Sequence, residues 1–226
     1  AAVRGAVGGH AGKLSVGIFG PVSSEFLPAT LSRFAQAYPQ IEVSLKDISP
    51  DEQIAQLENK QIQIAFTINE KGDPEVPHLE QWTVLERDLI VLLSRFHPLS
   101  MKTSIKLTEL AQETILCLSG GIAFGRHATL AKELYQKHSV TLPKLKQVNS
   151  FESMYAFMIC NQGVVLGPKL YKVAPPPGIV ERLIELRKDD PKYQIRAVWL
   201  KNETSAPVKN FIAALKLEMG QHVGPT

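Results

Sequence analysis

Several things are scarce in this sequence, and each scarcity excludes a class of protein. Only two cysteines occur in 226 residues. Cys117 in "ILCLS" and Cys160 in "FMICNQ" lie far apart and inside apolar runs. That argues against a disulfide framework or a cysteine metal cluster, and predicts two buried, reduced thiols. No apolar run approaches the roughly twenty residues of a membrane-spanning helix. Neither sign of charge dominates: 25 Lys and Arg against 22 Asp and Glu leave a net charge of +3. The densest basic cluster is "PKLKQ" at 143–147, whereas a nucleic-acid surface gathers Lys and Arg on one face beside a reading element. With no helix-turn-helix, finger or aromatic RNA-binding strand in view, direct DNA binding by this chain is not expected. Catalytic signals are equally scarce. His10, His78, His97, His127, His138 and His222 show no metal-ligand spacing, and no "GxSxG" occurs. Glu86 and Asp88 beside Arg87 read as an ordinary surface ion pair. The expectation is a protein that is not an enzyme and calls for no cofactor or metal. The opening "AAVRGAVGGHAGK" has small residues but no apolar core of the length a secretory signal requires, so the chain reads as cytoplasmic.

What is present is ordinary for a globular chain: 44% hydrophobic and 21% charged residues, with a length that suits two compact lobes or one large domain. The order of elements is legible. Leu14, Val16 and Ile18 alternate as a strand, and beyond the Gly20-Pro21 turn Phe26, Leu27, Leu31, Phe34 and Tyr38 recur at helical spacing until Pro39. Ile41, Val43 and Leu45 alternate again. Ser49-Pro50-Asp51-Glu52 then reads as a capping box with Pro50 at the first helical position. It opens a helix that turns Ile54 and Leu57 inward, and Ile62, Ile64 and Phe66 form a third strand. Strands alternating with helices imply right-handed crossovers and a largely parallel sheet.

After the Pro-rich "KGDPEVPH", the run "DLIVLLS" at 88–94 is too continuously apolar for a half-exposed strand and reads as buried on both faces. The alternation restarts with "LTELAQ" as a short helix, "TILCLS" as a strand, and "GRHATLAKELYQKH" as a helix with Ala128, Ala131, Leu134 and Tyr135 on one side. Next come "LKQV" as a strand, "FESMYAFMICNQ" as a helix and "GVVLGP" as a strand. "VAPPPGI" is an extended linker or loop. Strands "VERLIEL" and "QIRAVWL" follow, then a helix from about Ser205 with Val208, Phe211, Ile212 and Leu215 inward.

The turn at 20–25 and the helix start at 49–52 fall at the carboxyl ends of the first two strands, where open αβ sheets bind ligands. Free backbone N–H groups at helix starts favour anions there. Ser23 and Ser24 are therefore candidates either to hydrogen-bond a carboxylate or to cap the helix behind them. "CLSGGIAFGRH" reads as a glycine-rich loop between a strand and a helix. Its Arg126, at a helix start, has the chemistry for a two-pronged carboxylate contact or for a surface salt bridge, and Phe124 reads equally as a core side chain. Gly120, Gly121 and Gly125 fit neither the dinucleotide nor the Walker spacing, which argues against a phosphate-bearing cofactor.

"GKLSVGIFGPVSSEFLPATLSRFAQAYPQIEVSL" resembles the opening of the effector-binding domain of LysR-type transcriptional regulators. The agreement continues through "QIAQLENKQIQIAF", "HPLS", "TELAQETIL", "QGVVLGP" and "RAVWLKNETSAPVKNFIAAL", covering roughly Lys13 to Leu217. The resemblance implies an α/β fold of periplasmic-binding-protein type, two Rossmann-like subdomains joined by two crossover strands with a small-molecule effector in the cleft. Residues 13–88 and 194–222 would form the first subdomain and 89–193 the second, with 1–12 as the end of a linker from a DNA-binding domain absent from this chain. Carried over position by position, effector contacts fall on Pro21, Val22, Ser23 and Ser24, on Ser49 to Asp51, and on Thr67. In the second subdomain they fall on Ser119, Gly120, Phe124, Arg126, Ser150, Phe151 and Pro168.

Pro21 and Pro50 depart from relatives that bind muconate-like diacids, where hydroxyl residues stand. That shifts the polar contacts to Ser23, Ser24, Ser49 and Thr67. The resemblance further implies an antiparallel homodimer, with "LPATLSRFAQAY" near the partner's "ATLAKELYQKH". A homotetramer is implied for the full-length protein, with DNA reached only through its helix-turn-helix and no membrane partner. An extracytoplasmic solute-binding protein is the alternative with the same architecture; the short chain, the linker-like start and the lack of a signal count against it.

Overall fold

The computed structural model describes residues 11–69, 77–118 and 121–220, with side chains except at 21, 22, 50, 51, 69 and 121–127. From the start, β1 (Ala11–Ile18) leads through a 3-10 turn (Pro21–Glu25) into α1 (Leu27–Ala37), followed by β2 (Gln40–Asp47), α2 (Pro50–Glu58) and β3 (Ile64–Asn69). Next come β4 (Leu79–Arg87), β5 (Leu89–Ser94), a second 3-10 turn (Pro98–Met101), β6 (Ser104–Ile105), α3 (Leu107–Leu110) and β7 (Thr114–Leu118). The remaining elements are α4 (Gly121–Lys137), β8 (Lys144–Val148), α5 (Phe151–Ile159), β9 (Val165–Pro168), β10 (Ile179–Ile184), β11 (Tyr193–Leu200) and α6 (Ala206–Gly220).

The chain divides into two compact units. The first is drawn from both ends of the sequence, up to Thr67 and from Ile195, and takes β4 as far as Leu85; the second holds Glu86–Gln194. Thus β4 and β11 are the strands along which the chain leaves one unit and returns. The first unit is built on a sheet of order β2-β1-β3-β11-β4. β1 is parallel to both neighbours, with Val16 opposite Leu45 on β2 and Ile64 on β3. That register puts the carboxyl ends of β1, β2 and β3 at one edge. Leu14, Val16 and Ile64 are fully buried beneath the helices. Phe34 of α1 sits edge-on to Phe211 of α6 with ring centroids 5.2 Å apart, and Val208, Phe211, Ile212 and Leu215 are all buried, as their spacing predicts.

In the second unit a sheet of order β6-β10-β5-β9 lies with a two-stranded pair, β7-β8. Ile115 of β7 makes a parallel bridge to Val164, the residue just before β9. β5 is buried along nearly its whole length, as its unbroken apolar run predicts. On α4, Ala128, Ala131, Leu134 and Tyr135 all face the core. Gly163 has φ +153, and a Cβ there would lie 2.8 Å from Leu116 side-chain atoms and from the Thr114 carbonyl oxygen. Only glycine lets the chain enter β9 this close to β7.

Four readings of the sequence need correction. β4 escaped notice because Val84 and Leu85 are adjacent and both buried, breaking the alternation that marks a strand. The glycine-rich loop before the fourth helix is shorter than read: α4 begins at Gly121, so Gly125 and Arg126 lie inside it, the low helix propensity of glycine having masked the start. Cys160 is exposed while Cys117 is buried, because α5 ends at Ile159 just after Met158 turns inward. Thr67 lies within β3 instead of after it.

Candidate functional site

The serine pair sits in the 3-10 turn that follows β1. Gly20 opens it with φ 68, and neither the turn nor α1, whose N-cap is Phe26, receives a side-chain cap. The helix-cap reading of Ser23 and Ser24 is therefore not met. Instead the two residues differ sharply. Ser24 is exposed, whereas Ser23 is 3% exposed and its buried hydroxyl has no hydrogen-bond partner among the described residues. The Ser23 carbonyl accepts from Phe26 N–H at 3.3 Å, and the Phe26 ring meets Phe66 edge-on at 4.8 Å. This aromatic pair ties the turn to β3, one residue before Thr67, which is buried.

The second strand end is organised differently. Ser49 is the N-cap of α2 by position, but its hydroxyl donates to the Glu52 carboxylate at 3.0 Å and makes no bond to the helix backbone, so the reciprocal capping box does not form. Ile48 N–H bonds the Ile18 carbonyl at 3.0 Å and locks the β2–α2 connection onto the end of β1. Gln53, which sequence reasoning passed over, is fully buried and donates from Nε2 to the Ile48 carbonyl at 3.0 Å. Gly17 makes room for it: a Cβ there would come within 3.2 Å of Gln53 Cγ. The signal lay in spacing, since Gln53 stands four residues before the buried Leu57 on the same helix face. Glu25, 4% exposed in the serine turn, was also missed.

In the second unit, Ser150 does cap its helix, accepting from Ser153 N–H at 3.1 Å. The neighbouring Glu152 carboxyl is held below its usual range, first by its own backbone N–H and then by the Ser150 hydroxyl. An anion thus already occupies the start of α5, as helix-start N–H groups favour. Phe151 is half-buried with its ring 6.4 Å from that of Tyr155. Pro168 ends β9 opposite Leu89. Ser119 and Gly120 lie outside the described residues, as do the side chains of Pro21, Val22, Phe124 and Arg126. The structure brings Ser23, Ser24, Ser49 and Thr67 to the strand-end edge of the first unit, and Phe151 and Pro168 to strand and helix ends of the second. Among the described residues no group of three or more His, Cys, Asp or Glu is arranged to hold a metal ion, and no helix is long and apolar enough to cross a membrane.

The two αβ units joined by β4 and β11 have the fold of solved LysR-type regulator domains, which is of periplasmic-binding-protein type. The chain belongs to the LysR substrate binding domain family, whose model matches residues 8–220. It is 24% identical over 207 residues to the HTH-type transcriptional regulator YnfL of Escherichia coli, covering 90% of this chain and 67% of that protein. The chain spans about two thirds or less of the length of the curated regulators it matches first.

Among solved structures it is similar to the effector-binding domain of QuiR in complex with shikimate, at 20% identity and a TM-score of 0.78, covering 94% of this chain and 99% of that one. It is also similar to the effector-binding domain of BenM with its effector benzoate, at 18% identity and a TM-score of 0.75 over 93% of each. The chain is thus a LysR-type effector-binding domain, and its relatives are transcriptional regulators, a class that is not enzymatic.

Proposed function

We propose that this domain senses a small carboxylate at the strand ends of its first unit, and that Ser23 and Ser24 are its principal hydroxyl donors. The observation that carries the reading is the Ser23 hydroxyl, buried without a partner among the described residues, beside an exposed serine in a turn with no side-chain cap among them. A buried hydroxyl with no hydrogen bond is destabilising by about 1–3 kcal/mol, so an anion that engages it recovers that loss. Shikimate and benzoate, the ligands of the two similar domains, are both carboxylates. Prolines 21 and 50 donate nothing, which leaves Ser23, Ser24, Ser49 and Thr67 as the polar contacts beside Val22 and argues against a muconate-like diacid. Ser119, Gly120, Phe124, Arg126, Phe151 and Pro168 are the proposed contacts of the second unit.

In the full-length protein, effector binding would shift the population of two arrangements of the domain, and the shift would pass through subunit packing to a DNA-binding segment. The supporting features are the family membership and the helix faces of α1 and α4, which the resemblance sets against each other in an antiparallel homodimer. A homotetramer is the proposed full-length assembly.

The test is a thermal-unfolding screen against small aromatic and aliphatic carboxylates. A ligand at about a hundred times its dissociation constant adds roughly 2.7 kcal/mol, a rise of several degrees for a chain of this length. A carboxylate that stabilises the wild type but not a Ser23→Ala/Ser24→Ala variant supports the reading. Equal stabilisation of both by every carboxylate that binds, or none by any carboxylate, overturns it.

A further inference from the structure

The second unit carries a hollow that none of the residues discussed so far explains. It has a volume of about 340 Å³ and is lined by Ile90, Lys102, Lys169, Arg182 and Leu183 with Met101 at its rim. Leu183 on β10 stands directly opposite Ile90 on β5, so the two share one face of the sheet. Ile90 is 2% exposed and forms an apolar floor, whereas Leu183 is 49% and Met101 89% exposed.

The charges around this floor are unevenly matched. Lys102 is paired with Glu109. The half-buried Arg182 is fixed by backbone carbonyls alone, Nε donating to Ser100 at 2.7 Å and Nη1 to Glu181 at 2.6 Å. Among the described residues no carboxylate forms an ion pair with Arg182 or with Lys169, whose ammonium lies 5.5 Å from the Tyr171 ring. Glu181 also lines the hollow, which leaves one carboxylate facing two cations without a carboxylate partner. A guanidinium held rigid by carbonyls keeps free N–H groups in a fixed fork, the geometry that suits an oxyanion. Apolar walls with a few convergent polar groups, at this volume, are the features of a small-molecule site.

We propose that this hollow is a second small-molecule site, one that takes an anion with an apolar body, such as a medium-chain carboxylate. The carboxylate meets Arg182 and Lys169, and the hydrocarbon lies over Ile90, Leu183 and Met101. Neither the serine turn nor any other strand-end residue of the first unit takes part.

The experiment titrates the chain with sodium octanoate, octylammonium chloride and inorganic phosphate, reading affinity by calorimetry and location by the Met101 and Leu183 methyl NMR signals. Octanoate is expected to shift both methyls saturably, with octylammonium and phosphate weaker by about tenfold or more. Lys169→Glu, a change at a half-buried side chain that leaves the carbonyl bonds of Arg182 intact, and Arg182→Gln are each expected to weaken octanoate by about tenfold. Ser23→Ala leaves the two methyl shifts unchanged. Equal binding of octylammonium or phosphate, or full affinity in Lys169→Glu, overturns the assignment. So does octanoate binding that leaves both methyls unmoved and disappears in Ser23→Ala, an outcome that would leave the first-unit reading standing.

Discussion

Ser23→Ala should make the ligand-free domain more stable and its effector binding weaker. In the structure the side chain is 3% exposed and its hydroxyl has no hydrogen-bond partner among the described residues. The lost solvation of such a group amounts to about 1–3 kcal/mol. Alanine removes the oxygen and leaves a void of less than a methyl group, which takes back only part of the gain. The expected net change is about 1 kcal/mol of added stability, or a Tm rise of roughly 2–4 °C for a chain this long. Urea and thermal unfolding of wild type and variant, with and without the best carboxylate from the screen, measure both effects together. A variant that loses 1 kcal/mol or more without ligand would refute the reasoning, because it would mean that the hydroxyl is bonded in the free domain. A variant that gains stability yet keeps the full ligand response would remove Ser23 from the site.

Gly163→Ala is expected to destabilise by about 2–4 kcal/mol, adding strain at φ +153 to contacts at 2.8 Å with Leu116 and the Thr114 carbonyl; urea unfolding checks it. Phe34→Ala should lose about 3–5 kcal/mol, since the ring is fully buried between Tyr38 and Phe211. Thiol titration at pH 8 should modify Cys160 quickly and Cys117 slowly, because burial pushes the Cys117 thiol up to about 11. Burial raises the Asp190 carboxyl, but the Arg187 N–H, His138 and Lys137 together outweigh it and the net shift is downward. A depressed carboxyl stabilises the fold above its unfolded pKa of about 3.9 and loses that contribution as pH falls through the folded value. Unfolding measured from pH 6 to pH 2 should therefore show an acid decline that is shallower in Asp190→Asn.

Much of the fold was legible because its helices bury one clean stripe each. Val208, Phe211, Ile212 and Leu215, or Ala128, Ala131, Leu134 and Tyr135, need only the 3.6-residue period to be found. β4 was not legible, since a strand that bridges two units has no uniform inside face and its burial does not alternate. The candidate site was legible in outline, because turns at the carboxyl ends of parallel strands follow from strand order alone. Its chemistry was not. Whether a serine caps a helix depends on where the helix starts: Ser150 stands at the N-cap of α5, while Ser23 lies three residues before Phe26, the N-cap of α1, in a separate 3-10 turn behind Gly20. Gln53 was hidden because its role depends on Gly17, a partner on another element.

The contrast between the two serine sites bears on how such a domain could respond to a ligand at all. A ligand shifts a conformational equilibrium only by its difference in affinity for the two states. At α5 the helix start is already satisfied by Ser150 and Glu152, so a new anion there would displace existing bonds and gain little. At the serine turn the Ser23 hydroxyl has no partner among the described residues, so on the proposed reading a state that exposes it to a carboxylate would gain what the ligand-free domain lacks. The size of that gain, about 1–3 kcal/mol, matches the typical coupling energy of allosteric proteins. On that reading, one buried hydroxyl would be sufficient in magnitude to bias the domain. Ser23→Ala, by removing the difference between the two states, should lower the response to effector more than a change at the exposed Ser24 does.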